Sequence, residues 1–313
     1  MQNSPISFRK EKVNIRLKKD FYRNKWKYIL MLPIVVYFIL FCYKPMYGVV
    51  IAFKNYKPAQ GIAESKWVGV KYFAEFFNDY YFARVIRNTF VLSLNSILWG
   101  FPAPVLLALL LNELMNETFK RTVQTIVYIP HFISMVIICS IIRQFSLSDG
   151  VFNDVGAFFG ATRVPLLQKP SYFNSIYVIS GVWQETGWGC IIYLAALTSI
   201  DPQLYEAAEI DGAGRLRQTW HVTLPGILPT VVMMLILRMG GVLNVGFEKI
   251  LLLYNETIYE TSDVISTYVY RKGIIDANFS YSSAVGLFNS IINIVFLLTT
   301  NYISKRTTEV GLF

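Results

Sequence analysis

The sequence predicts an all-α membrane protein with six transmembrane helices. Three observations lead there. Hydrophobic residues make up 54% of the 313 and charged residues only 16%, where a soluble domain has roughly a quarter of its residues charged. The mean hydropathy is +0.42. The apolar residues are gathered in six runs, each near the roughly 20 residues that a helix needs to cross the hydrocarbon core. In lipid every backbone polar group needs an internal partner, so helices are the natural form for such runs.

The first run, about 28–50, follows a basic segment over 1–27 that carries Arg9, Lys10, Lys12, Arg16, Lys18, Lys19, Arg23, Lys25 and Lys27 against Glu11 and Asp20. A basic cluster beside a span favours the cytoplasmic face and anionic lipid. Ile15, Leu17 and Phe21 interleave with it, so it reads either as a short interfacial helix or as a solvated tail. The run continues through Phe41-Cys42-Tyr43-Lys44-Pro45, which reads as an uncleaved membrane helix rather than a secretory signal. The other runs lie at about 90–111, 125–145, 176–197, 228–247 and 284–303. Pro102 and Pro104 in the second and Pro130 in the third predict kinks. Lys120-Arg121 and Lys305-Arg306 fall in short segments on the same side as the basic tail, with Arg215 and Arg217, so the positive-inside rule places both termini in the cytoplasm. The segments at about 46–89, 146–174 and 248–283 then face outward. Their tyrosines read either as an aromatic belt or as a surface for an external partner.

The net charge of +9 is concentrated in the basic tail, which argues against nucleic acid as a partner. Cys42, Cys139 and Cys190 each sit in an apolar run and read as small apolar fillers. His131 and His221 are the only histidines, too scattered for a metal site. The sequence contains no GxxxxGK[ST] loop, HExxH or GxSxG motif to signal ATP hydrolysis, metal-assisted chemistry or a serine nucleophile.

The most informative stretch joins the fourth and fifth runs, over 201–225. Asp201 is a good N-cap and Pro202 a good first helical residue. Leu204, Ala207 and Ala208 share one helical face, while Glu206 and Glu209 lie on another. Gly212 and Gly214 allow a sharp change of direction. A second short helix runs from about 215 to 221, and Leu224-Pro225 follows. The result is a compact helix–turn–helix whose small-residue face suits a groove on another protein.

This stretch resembles the EAA loop of ABC importer permeases, through Glu206-Ala207-Ala208, Asp211-Gly212-Ala213, Trp220 and Leu224-Pro225. Gly187-Trp188-Gly189, Leu194-Ala195-Ala196-Leu197 and Asn244-Val245-Gly246-Phe247-Glu248 are similar to the sugar-permease subgroup. Tyr268-Val269-Tyr270-Arg271 and the closing Glu309-Val310-Gly311-Leu312-Phe313 resemble the oligosaccharide and polysaccharide permeases of Gram-positive bacteria. The resemblance spans about 25–313. It implies the type I ABC importer permease fold, a transmembrane domain over 28–303 and a cytoplasmic C-terminal tail over 304–313. The chain is then a non-catalytic subunit of the cell membrane that imports an oligosaccharide. The implied partners are a second, homologous permease, a dimer of P-loop ATPase subunits that bind the ATP and Mg, and an extracellular sugar-binding lipoprotein. No cofactor belongs to this chain. Glu206, Ala207, Ala208, Asp211, Gly212 and Ala213 are implied to carry coupling to the ATPase.

Ionisable residues inside membrane spans are costly and face an interior or a wet cavity. Arg143, Glu185 and Arg238 fall inside the runs; Arg143 is near a run's end and can snorkel. Glu185 and Trp188, three apart, with Trp183 nearby, suit a sugar through hydrogen bonding and stacking on its C–H face. The other reading pairs Glu185 with a polar group in the bundle such as Arg238. Arg238, before Met239-Gly240-Gly241, reads as a cavity-lining donor or as half of a charge pair; Asn244 is a further candidate. An ion-coupled secondary transporter is the alternative class, and the few buried carboxylates and absent repeat disfavour it. Peptide or another small solute is the alternative cargo.

Overall fold

The computed structural model describes the backbone of residues 5–313 and the side chains from Asp20 onward. The basic side chains before Asp20, expected to meet lipid, lie outside the described residues. The chain divides into two compact units, Met1–Gly69 and Val70–Phe313.

In the first unit, helix α1 (Pro5–Tyr37) runs on through a wide turn at Phe38–Tyr43 and a tight one at Tyr47–Phe53. Asn24 has non-helical angles, φ −111° and ψ 19°, and its side chain donates to Asp20 Oδ1 at 2.7 Å. A two-stranded antiparallel ribbon follows, β1 (Lys54–Asn55) with β2 (Lys66–Trp67). The rings of Phe53 and Trp67 stack at 5.7 Å and 10°. This small ribbon departs from the all-helical expectation. Its strands are two residues long, too short to leave an alternating pattern.

The second unit is a helical bundle. In chain order its helices are α2 (Lys71–Phe77), α3 (Phe82–Gly100), α4 (Pro102–Asn112), α5 (Glu117–Phe132), α6 (Met135–Phe145), α7 (Val151–Phe158) and α8 (Pro170–Leu197). Then come α9 (Pro202–Ile210), α10 (Arg215–Met239), α11 (Phe247–Leu253), α12 (Ile265–Tyr270) and α13 (Phe279–Thr307).

Among the described residues, four helical stretches are long and apolar enough to cross a membrane: Asp20–Phe53, Phe82–Asn112, Arg215–Met239 and Phe279–Thr307. The pair α5 and α6 makes a fifth if its two halves count as one span, although their axes differ by 98°. The expectation of six is therefore met only in part. Pro130 lies in the last turn of α5, and Ser134 starts α6 afresh by accepting from Ile137 N, so the proline kink expected in the third run is a full break. α8 has the length of a span, 28 residues, but Gln184, Glu185 and Thr186 interrupt its apolarity.

α8 is the central post, packed against α3, α4 and α5. One buried core surrounds its first half, with Phe173, Tyr177 and Val178 against Leu92, Ile138 and Ile250. A second surrounds its last turns, with Cys190, Tyr193 and Leu197 against Val105, Leu111 and Ile227. Between the two, Gly187 lets α8 meet α5 backbone to backbone: a Cβ there would fall 1.9 Å from the Val127 carbonyl oxygen. No substitution fits without moving a helix.

The sequence predicts helix to 247 in the fifth run, but α10 stops at Met239 and the chain is non-helical until Phe247. Such backbone needs partners when apolar segments surround it. They come from three helices: Ser93 Oγ donates to the Val242 carbonyl, Leu243 N donates to Asn293 Oδ1 at 2.9 Å and Gly246 N donates to the Tyr177 hydroxyl at 3.0 Å.

Two polar clusters brace the end of the bundle where α3 begins. Asp263, fully buried, accepts from Arg271 Nη2 at 2.7 Å and Arg84 Nη2 at 3.2 Å, and from Thr267 Oγ1 at 3.0 Å. Asn88 donates to the Asp263 carbonyl at 3.0 Å. Nearby, Asp79 Oδ2 accepts from the Tyr268 and Tyr281 hydroxyls at 2.6 and 2.9 Å.

Candidate functional site

A cavity of about 510 Å³ opens between α3, α8 and the α10–α11 region, within the usual size range of small-molecule sites. Glu185, Trp188, Arg238 and Asn244 all line it. Four of the five path candidates thus converge from separate stretches of chain. Trp183 does not line it and is half-exposed. Two residues before Glu185, it is turned about 200° around the helix, onto the other face.

The cavity forms where α8 leaves its two apolar cores. Gly181 and Gly189 keep the wall low on either side of Glu185. Glu185 Oε2 lies 3.1 Å from His131 Nδ1, and the His131 and Trp188 rings stack parallel at 4.6 Å. Phe132 meets Trp188 edge-on at 5.6 Å. Glu185 does meet a polar group in the bundle, but that partner is His131 rather than Arg238, delivered by the last turn of α5 just before the break. Arg238 makes no ion pair among the described residues. Asn244 Oδ1 accepts from Asn289 and Asn293 at 3.1 and 3.2 Å, so it is held as an acceptor by α13.

Sequence reasoning missed His131 and Lys249. His131 reads as an isolated histidine in an apolar run, and only the bend of the chain shows its neighbours. The sequence assigns Lys249 to an external loop, yet it is 5% exposed and lines the cavity. Its Nζ donates to the Tyr177 carbonyl at 3.2 Å and lies 5.0 Å from the Tyr177 ring centre.

The second candidate region is the 201–225 loop. Asp201 caps α9 by accepting from Gln203 N at 3.0 Å, as its sequence predicts. α9 ends in a Schellman turn. Gly212 N donates to the Glu209 carbonyl at 3.0 Å and Ala213 N to the Ala208 carbonyl at 2.9 Å. Gly212 takes φ +75°, a conformation that glycine adopts without steric cost. Gln218 Nε2 donates to the Ala213 carbonyl at 3.0 Å, and the Tyr205 hydroxyl lies 3.0 Å from Thr223 Oγ1, which ties α9 to α10. No residue of α9 is buried. Leu204, Ile210, Leu216 and Trp220 are all exposed, a run of apolar side chains left without cover on a preformed polar scaffold.

A family model described as binding-protein-dependent transport system inner membrane component matches residues 100–309. The chain belongs to this family. Within it, the chain is 45% identical over 292 residues to Protein LplB of Bacillus subtilis, covering 93% of this chain and 92% of that one. It is 44% identical over 309 residues to the polygalacturonan/rhamnogalacturonan transport system permease protein YteP of the same organism, covering 98% and 96%. It also superposes with a TM-score of 0.86 on a chain of a bacterial alginate ABC transporter solved in complex with an alginate pentasaccharide-bound periplasmic protein, at 44% identity, covering 95% of this chain and 100% of that one. The expected family and its type I permease fold are thereby established. The chain is a membrane component of an ABC transporter and not itself an enzyme.

Proposed function

We propose that this chain is one permease of an ATP-driven importer that carries an oligosaccharide from an external binding protein into the cytoplasm. The observation that carries the reading is the 201–225 loop: a capped, Schellman-terminated helix, with the apolar side chains Leu204, Ile210, Leu216 and Trp220 of the loop standing exposed among the described residues. A rigid exposed helix of this kind suits docking into a groove of another subunit. Glu206, Ala207, Ala208, Asp211, Gly212 and Ala213 form the docking element, and the partner is an ATPase that binds the ATP and Mg.

The broken pair α5–α6 and the helix α8 count in this reading as the third and fourth of six spans. Both termini lie in the cytoplasm, on the side of Lys120, Arg121, Lys305 and Arg306. The Asp263 and Asp79 clusters then brace the external end, where a binding protein unloads. Sugar cargo is supported by the polysaccharide permease and alginate transporter among the similar proteins and by the cavity's mixture of Trp188, Glu185 and Asn244. A second permease of the same family completes the pathway.

Affinity purification of the chain from its host in mild detergent, followed by mass spectrometry, tests this. A second permease, a P-loop ATPase and a sugar-binding lipoprotein should come with it. Recovery of the chain alone, active in liposomes without ATP, would support an ion-coupled transporter instead.

A further inference from the structure

The cavity's charges are unbalanced. Two cationic side chains line it, Arg238 and Lys249, against one carboxylate, Glu185. That carboxylate is already engaged by His131 at 3.1 Å. Among the described residues neither cation has a carboxylate within ion-pairing distance.

Lys249 is the sharper case. An ammonium offers three donors. One goes to the Tyr177 carbonyl, and the Tyr177 ring adds a cation–π contact. The ammonium sits beside Gly181, where even a Cβ would lie 3.5 Å from Nζ, and Gly181 faces the same cavity. Burying a charge without a counter-ion is costly, and proteins rarely keep one unless something supplies the missing anion. A neutral sugar would ask for donors and acceptors of both kinds. It would not ask for two cations beside an occupied carboxylate.

We propose that the cavity is built for an oligosaccharide carrying acidic groups, and that Lys249, assisted by Arg238, is the residue that reads the charge. Charge-assisted hydrogen bonds to a sugar carboxylate would use the donors that Lys249 leaves unspent. Gly181 leaves room for the acidic group to reach the ammonium. The inference rests on the importer reading above and narrows its cargo.

The test uses the whole importer reconstituted in liposomes with its ATPase and binding protein. Uptake of trigalacturonate is measured beside its carboxyl-reduced, neutral counterpart, each loaded on the binding protein to equal occupancy. The wild type should favour the acidic sugar. Lys249→Met should lower the acidic-to-neutral uptake ratio about tenfold, the loss of roughly one charged hydrogen bond. Lys249→Arg, which keeps the charge, should restore the ratio, and Arg238→Gln should lower it independently, so the result stands even where Lys249→Met fails to insert. Equal uptake of both sugars by the wild type, or equal loss of both in Lys249→Met and Arg238→Gln, would overturn the inference and leave the importer standing. No ATP-dependent uptake of either sugar would overturn both.

Discussion

Glu185 on α8 and His131 on α5 meet at 3.1 Å across the point where the α5–α6 segment bends by 98°. The pair joins a carboxylate facing the cavity to the last turn of a broken helix. The parallel stack of His131 on Trp188 at 4.6 Å extends it into a small platform. A break at this position turns His131 toward α8 rather than toward lipid. The platform therefore depends on the bend.

Trp188→Ala removes the aromatic centre of that platform, which both His131 and Phe132 meet. Such pairs contribute about 0.5–1.5 kcal/mol each. The half-saturating concentration of loaded binding protein for uptake should rise roughly three- to tenfold. Initial-rate uptake in proteoliposomes checks this; an unchanged value would remove Trp188 from the pathway.

Asp263→Ala leaves the Arg84 and Arg271 guanidiniums beside each other with no counter-charge in a site where Asp263 itself is fully buried. Removing one partner from a buried ion cluster costs about 3 kcal/mol or more, less here because both arginines keep some exposure. Membrane yield should fall, and unfolding in mild detergent should shift to lower temperature. A variant that melts with the wild type would show that the cluster bears no part of the stability.

The Asp79 cluster also predicts an acid sensitivity. Partial burial opposes ionisation of Asp79, but the hydrogen bonds from Tyr268, the Tyr81 amide and Tyr281 outweigh it and hold its carboxyl below the usual aspartate value. A lowered folded-state value means that the unfolded chain binds the proton more readily. The stabilisation is complete above the unfolded value of about 3.9 and is lost as pH falls through the folded one. Melting profiles taken from pH 7 down to pH 3 should show a loss below about pH 4 that is shallower in Asp79→Asn. Identical slopes would contradict this.

Much of α9 and its neighbours is legible in the sequence because the signals are local. Asp201, Pro202 and Gly212 sit at the positions where a cap, a first turn and a left-handed end require them. Glu185, Trp188, Arg238 and Asn244 are legible as polar or amphipathic groups in apolar runs, and they do share one cavity. What stays hidden is tertiary. Nothing near His131 announces Glu185, 54 residues away. Lys249 looks like a loop lysine until α11 is seen folding back beneath Tyr177. Asp263 lies in a polar stretch and draws its partners from α3 and the end of α12, far apart in the chain. The break between α5 and α6 reads only as a kink, because Pro130 alone does not reveal that Ser134 caps a new helix.

The central claim is that the 201–225 loop transmits the work of a partner ATPase to this permease. The direct measurement is ATP-driven sugar uptake by the reconstituted importer carrying Glu206→Lys, which reverses a charge on exposed α9 without touching the buried core. The account predicts normal assembly in the membrane and uptake reduced at least about tenfold, the size expected when one charged pair is broken at a docking surface. Wild-type uptake in that variant, at equal permease content, would contradict the claim.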